Sequence, residues 1–158
     1  MKPKAEELAA AFASHMQREE DLLGSLQLVV HEMRKSLLSR DDQMDGLILR
    51  HAQVSLSMER MSEERNELRR ALAKTFAVPE QSATVALLIK HCDPPTRNVL
   101  EGFQQRLRSA AESLNGAVAA NGNLALQMLD LLESVFQSLS GDRGNSIVYE
   151  CSGRRRVA

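Results

Sequence analysis

A long stretch without proline restricts the fold of this chain more than any other feature of its sequence. Pro3 is followed by 75 residues without proline before Pro79, so the strongest helix breaker is absent from almost half of the chain. Within this stretch, apolar residues recur at steps of three and four, first from Leu8 to Leu37 and again from Met44 to Leu72. Such spacing is typical of heptad seams and predicts two long helices.

The short segment between the two seams predicts a turn. Residues 39–43 supply helix-capping side chains and show no apolar periodicity. We therefore predict helices over about 4–38 and 43–76 that pair as an antiparallel hairpin. The first seam includes two polar members, His15 and Glu19.

The region after the hairpin predicts one short helix. Between Pro79 and Pro94, only the apolar residues within 85–89 offer a packing face. A helix of this length is not stable by itself, so we predict a third helix over about 80–91 that folds over one end of the hairpin.

The last part of the chain predicts a long helix and a tail. From Pro95 an apolar pattern continues to Leu139, which indicates a fourth helix over about 95–140. The tail, 142–158, contains glycines and an arginine run and has no periodic apolar face. We predict an all-α fold, a long antiparallel helical hairpin with a short third helix and a long fourth helix, coiled-coil-like, followed by a flexible C-terminal tail. The helices form one domain over 1–141.

The composition favours a protein-binding helical domain. The chain has seven Met, four Phe, one Tyr and no Trp, which is typical of aliphatic helix packing. Its 20 basic and 21 acidic residues give a net charge of -1, too balanced for a nucleic-acid partner. The longest uncharged stretch, 113–129, contains several polar residues, so we expect no membrane insertion.

No motif in the sequence indicates catalysis, a cofactor or a metal. His31-Glu32 resembles the start of a zinc-protease helix, but Lys35 stands where the second histidine is needed. Asp41 begins a partial calcium-loop pattern whose twelfth position is Ala52 rather than a carboxylate. The two cysteines, separated by 59 positions, show no metal or disulfide spacing and favour a reducing, cytoplasmic location. We predict that the protein is not an enzyme.

The late part of the fourth helix contains more apolar residues than one packing face requires. They cover more than one side of the helix, whereas an amphipathic hairpin can cover only one side. A large exposed apolar patch marks a protein-interaction site. The residues predict partner binding, and they leave open self-association into a homodimer, as in a homo-oligomeric coiled-coil scaffold or tethering protein. The apolar residues of this pattern are Leu124, Leu126, Met128, Leu129, Leu131, Leu132, Val135, Phe136 and Leu139.

Two segments near the C-terminus resemble a known family. The first is 121–129, Asn-Gly-Asn-Leu-Ala-Leu-Gln-Met-Leu, on a late helix that continues through Leu132 and Leu139. The second is 149–153, Tyr-Glu-Cys-Ser-Gly, after a glycine-rich break. Together they resemble the C-terminal end of the FlgN family of flagellar export chaperones, and the predicted order of helices is similar as well.

This resemblance implies a function and a set of site residues. It implies a cytoplasmic chaperone that binds the C-terminal amphipathic segments of the hook-filament junction proteins FlgK and FlgL, prevents their premature assembly and delivers them to the export gate. It implies that Tyr149 and Gly153 dock to the export-gate protein FlhA. The cargo-binding residues that it implies are Leu124, Met128, Leu131, Leu132, Val135, Phe136 and Leu139.

Overall fold

The computed structural model describes residues 3–39, 42–140, 148–149 and 155–156, with side chains described for 5–39 and 42–136. Four α-helices account for nearly all of these residues, which confirms the predicted all-α class. The helices are α1 (Pro3–Ser39), α2 (Met44–Phe76), α3 (Val85–Lys90) and α4 (Pro94–Ser140), with a 3-10 turn at Glu80–Ser82 before α3. The chain divides into two compact units, Met1–Asn121 and Gly122–Ala158.

The first two helices form the predicted antiparallel hairpin. Two ion pairs join them, one between Arg18 and Glu64 and one between Glu32 and Arg50, each with a nitrogen–oxygen distance of 2.9 Å. Arg18, the earlier residue of α1, pairs with the later residue of α2, and Glu32 pairs with the earlier one. This reversed order shows that the two helices are antiparallel.

A core cluster at the α3 end of the hairpin holds four elements together. Phe12 of α1, Leu72 of α2, Leu88 of α3 and Leu100 of α4 are almost completely buried in this cluster. Burying such a side chain stabilises the fold by about 1.5–3 kcal/mol. The short α3 therefore depends on its packing against the long helices.

Helix α1 buries a second stripe of apolar residues, in addition to the heptad seam that the sequence predicts. Ala9, Met16, Leu23 and Val30 recur every seven residues and are all buried. Leu23 and Val30 pack with Leu114 of α4 in a second core cluster. Helix α1 thus contacts α2 and α4 at the same time, and each contact requires its own apolar stripe.

The segment predicted as a single helix over 80–91 is interrupted. Ala83 is completely buried and leaves helical geometry, and Thr84 is extended with φ -115°. The Thr84 hydroxyl oxygen accepts a hydrogen bond of 3.3 Å from the Leu87 N–H and so caps α3. The guanidinium of Arg69 donates to the carbonyl oxygens of Ala83 and Glu80, which holds the 3-10 turn against α2.

Helix α4 begins at a pair of prolines. Pro94 and Pro95 occupy its first turn, where a missing N–H costs no helical hydrogen bond. The helix continues through Gly116 and Gly122 to Ser140.

Two short strands are described beyond α4. They are β1 (Val148–Tyr149) and β2 (Arg155–Arg156), and they pair antiparallel with Tyr149 opposite Arg155. The rest of the predicted tail, 142–158, lies outside the described residues.

Candidate functional site

Helix α4 changes from a core helix to an exposed apolar helix along its length. In its first half, Leu100, Phe103 and Leu114 are buried. In its second half, four leucines are between 52 % and 61 % exposed. We call these four residues, Leu126, Leu129, Leu131 and Leu132, the leucine face. Exposed leucines on more than one side of a helix are a candidate surface for protein interaction.

The residues implied as cargo-binding lie in the same part of α4 with different exposures. Leu131, Leu132, Val135 and Phe136 are exposed, and Leu124 and Met128 are half-buried. Helical spacing brings together residues three, four and seven positions apart, so this set forms a continuous strip along α4. The last member, Leu139, lies within α4, but its side chain is outside the described residues.

Two further leucines belong to this surface, although the resemblance does not include them among the site residues. Leu126 and Leu129 are 60 % and 61 % exposed, more than either Leu131 or Leu132. The signal that identifies them is the apolar pattern on more than one side of the helix, rather than similarity to the family.

The residues implied as docking to the export gate lie in the tail. The backbone of Tyr149 lies in β1, and its side chain is outside the described residues. Gly153 lies outside the described residues as well.

The second half of α4 contains two acidic residues. Between Glu112 and Asp142 the chain contains two ionisable side chains, Asp130 and Glu133. Asp130 is exposed and follows Leu129 directly, and Glu133 is half-buried one residue after Leu132. The sequence of this half of α4 therefore contains acidic residues and no basic ones.

A separate polar network lies inside the hairpin. His15 is 1 % exposed, and its Nε2 and Nδ1 atoms lie 3.7 Å from carboxylate oxygens of Glu19 and Glu64, respectively. These carboxylates are neutralised by ion pairs with Arg65 and Arg18. Burial, together with the charges of Arg65 and Arg18, lowers the pKa of His15 below its ordinary value of 6.5, although Glu64 opposes the shift. The network joins α1 to α2 and borders a groove of about 480 Å³.

The thiol of Cys92 is also buried. Burial and, to a lesser extent, the charge of Asp93 raise the pKa of this thiol, so it remains protonated at neutral pH. Among the described residues, no three His, Cys, Asp or Glu side chains come together in a way that could hold a metal ion. Within the same part of the chain, no helix has the length and apolarity needed to cross a membrane.

Comparison with known proteins identifies the family. A family model described as FlgN protein matches residues 1–156. No curated protein and no solved structure matches the chain. The match covers the hairpin, the leucine face and nearly all of the tail, and the FlgN family is a family of chaperones rather than of known enzymes. The chain therefore belongs to the FlgN family of flagellar export chaperones.

Proposed function

We propose that this protein is a cytoplasmic chaperone for the hook-filament junction proteins FlgK and FlgL. It binds their C-terminal amphipathic segments, prevents premature assembly and delivers them to the export gate. FlgN membership implies binding of flagellar export substrates. The observation that carries the proposal is the leucine face, because an amphipathic segment can bury its apolar side against exposed leucines.

The cargo surface that we propose contains two residues of the leucine face and their helical neighbours. Leu131 and Leu132 are its central anchors, because both are more than half exposed. The full set is Leu124, Met128, Leu131, Leu132, Val135, Phe136 and Leu139. Apolar contact of this kind is adaptable, since leucine and methionine side chains have several rotamers and can repack around different substrates.

The energetics of such binding suit a delivery chaperone. A substrate segment that is disordered when free loses conformational entropy on binding, at a cost of about 2–5 kcal/mol. This cost offsets part of the gain from apolar burial, so binding is specific and still reversible. Reversibility allows the substrate to be released at the export gate.

Calorimetric titration with peptides from the C-terminal segments of FlgK and FlgL tests this proposal. We expect saturable one-to-one binding that Leu131→Asp weakens at least tenfold. Leu56→Asp on α2 is the matched control, because Leu56 is 51 % exposed and Leu131 is 56 % exposed. The control should bind like the unmodified protein. Absence of heat with both peptides would contradict the proposal.

Light scattering tests the alternative, in which the exposed leucines pair two copies of the chain in a homo-oligomeric scaffold. A dimer that Leu131→Asp dissociates, together with no binding of either peptide, would support the scaffold. A monomer that binds the peptides would support the chaperone.

We further propose that Tyr149 and Gly153 form the element that docks to the export-gate protein FlhA. A single tyrosine can anchor a flexible segment through its ring and hydroxyl group. Because the element follows α4, cargo and gate would bind at different sites. Tyr149→Ala should therefore retain affinity for the FlgK peptide and impair motility. Tyr149→Phe, which keeps the ring, is the control, and loss of cargo binding by Tyr149→Ala would contradict separate sites.

A further inference from the structure

We propose that the groove beside His15 binds an amphipathic helical segment of a partner protein that carries Glu or Asp next to its apolar anchors. The groove has a volume of about 480 Å³ and lies within the first compact unit, Met1–Asn121. None of the residues that line it belongs to the leucine face. The inference therefore goes beyond the proposed function and does not depend on it.

The walls of the groove are largely apolar. Helix α1 contributes Phe12, Met16 and Leu23, and Met58 of α2 and Leu107 of α4 line the groove as well. The lining residues of α1 extend over about three turns, or about 16 Å along the helix axis. A groove of this length can take the apolar side chains that a helix presents at positions i, i+3 or i+4 and i+7. The methionines can adapt to the shape of these side chains.

Three polar side chains at the groove make no hydrogen bond to the described residues. The ring nitrogens of His15 are buried, and the nearest carboxylate oxygens are 3.7 Å away, too far for a hydrogen bond. Gln104 and Arg108 are exposed, line the groove and lie one turn apart on α4. Buried polar groups are normally paired, so an unpaired imidazole beside two unpaired donors points to a missing partner.

The charge that remains at the groove is positive. Its charged lining residues are Glu19, Arg65 and Arg108. Glu19 and Arg65 form an ion pair, whereas Arg108 forms none within the part of the chain that the structure describes. The acid one turn later on α4, Glu112, is not among the lining residues. Arg108 is therefore available to a charge on the partner.

These observations indicate which charge the partner carries. The carboxylate of a Glu or Asp can accept hydrogen bonds from Arg108 and Gln104, whereas a Lys or Arg at the same position is repelled. Burial of the apolar anchors would provide most of the affinity. For an ion pair near the surface, we expect the difference between an acidic and a basic segment to be roughly fivefold in affinity, and to decrease as salt is added.

NMR of the methionine methyl groups provides a site-specific test. Met16 and Met58 line the groove, whereas Met128 lies among the residues proposed to bind cargo. The probes are two synthetic helical peptides with the same leucine spacing, one with Glu and one with Lys beside the leucines. We expect the Glu peptide to shift the signals of Met16 and Met58 in the full-length protein. It should also bind more tightly there than the Lys peptide at low ionic strength.

A charge reversal tests the role of Arg108. Arg108→Glu should abolish the preference for the Glu peptide. Arg60→Glu on α2 is the matched control, because Arg60 is also exposed, lies outside the groove and gives the same change in net charge. The control should keep the preference. Arg108→Glu should leave the affinity for the FlgK peptide unchanged, because we propose that this peptide binds to the second half of α4.

The outcomes separate this inference from the proposed function. If the Glu peptide shifts Met128 alone, or shifts no methionine, the groove is not its binding site and the inference is wrong. If the Lys peptide binds equally well at Met16 and Met58, or Arg60→Glu acts like Arg108→Glu, the charge requirement is wrong.

A second copy of the chain is the competing occupant of the groove. If the signals of Met16 and Met58 change on dilution without peptide, a second copy fills the groove and the inference is wrong. None of these results decides the proposed function, which stands or falls with the titration of the FlgK and FlgL peptides.

Discussion

The side-chain amide of Asn121 donates a hydrogen bond of 2.8 Å to the backbone carbonyl oxygen of Val30. The amide of Gln27 makes a comparable bond of 3.0 Å in the opposite direction, to the carbonyl oxygen of Ala110. Both bonds join α1 to the first part of α4. Gln27 bonds the earlier residue of α4 and Val30 bonds the later one. The two helices therefore run parallel here.

The Asn121 bond leads to a prediction about stability. The Oδ1 atom of this residue is buried, and no hydrogen bond to it comes from the described residues. Asn121→Leu loses about 1 kcal/mol of hydrogen bonding but removes this buried oxygen, so we expect the free energy of unfolding to change by less than about 1 kcal/mol. Asn121→Asp loses the donor and adds a charge, so it should cost about 2 kcal/mol or more at neutral pH. Urea denaturation measures both values, and an Asp variant as stable as the unmodified protein would contradict this role.

Replacing a leucine by alanine should affect stability differently in the core and in the leucine face. Leu100 is completely buried, so Leu100→Ala should lower the free energy of unfolding by about 2–5 kcal/mol. Leu131 is 56 % exposed, so Leu131→Ala should change the free energy of unfolding by less than about 1 kcal/mol. Thermal unfolding followed by circular dichroism distinguishes the two. A large loss of stability in Leu131→Ala would show that this residue supports the fold rather than a partner.

The lowered pKa of His15 predicts an acid-sensitive hairpin. In the unfolded chain, His15 takes up a proton near pH 6.5, whereas in the folded protein it does so only at lower pH. The unfolded state therefore binds more protons below pH 6.5, and stability must decrease as the pH falls from 6.5 towards the pKa of the folded state.

This group alone can contribute a slope of at most about 1.4 kcal/mol per pH unit. In the variant His15→Gln, the free energy of unfolding should depend less steeply on pH between about pH 5 and 7. This range includes the ordinary pKa of histidine. Equal slopes in the two proteins would contradict the effect of burial on His15.

The end of α2 predicts a stabilising substitution. Ala77 has φ 52° and ψ 45°, the left-handed conformation, and its N–H donates to the Ala73 carbonyl oxygen. An alanine is strained in this conformation by roughly 1 kcal/mol, whereas glycine adopts it freely. Ala77→Gly should therefore raise the melting temperature by several degrees, as about 1 kcal/mol does in a domain of this size. A lower melting temperature would contradict the assignment of this cap.

Local spacing in the sequence was sufficient to predict four helices. The proline-free stretch and its three-and-four repeats predicted α1 and α2, and Pro94 and Pro95 marked the start of α4. The surplus of apolar residues after Asn121 also predicted an exposed surface without knowledge of the fold. These predictions succeeded because helix formation and amphipathicity depend on neighbours within two turns.

Other features depend on contacts between distant parts of the chain. The stripe that contains Leu23 and Val30 faces α4, and a single helical pattern cannot indicate that α1 has two packing partners. The predicted third helix is interrupted at Ala83, which is completely buried in the core at that end of the hairpin.

The sequence by itself determined where the long helices form and which part of α4 is too apolar for one face. Only the tertiary structure decided which face packs against which helix, how His15 lies among Arg18, Arg65 and the two glutamates, and how Asn121 meets Val30. The physical reason is the distance along the chain between the residues that interact. Helical periodicity is a property of residues a few positions apart, whereas burial and ion pairing depend on side chains brought together from positions up to 91 residues apart.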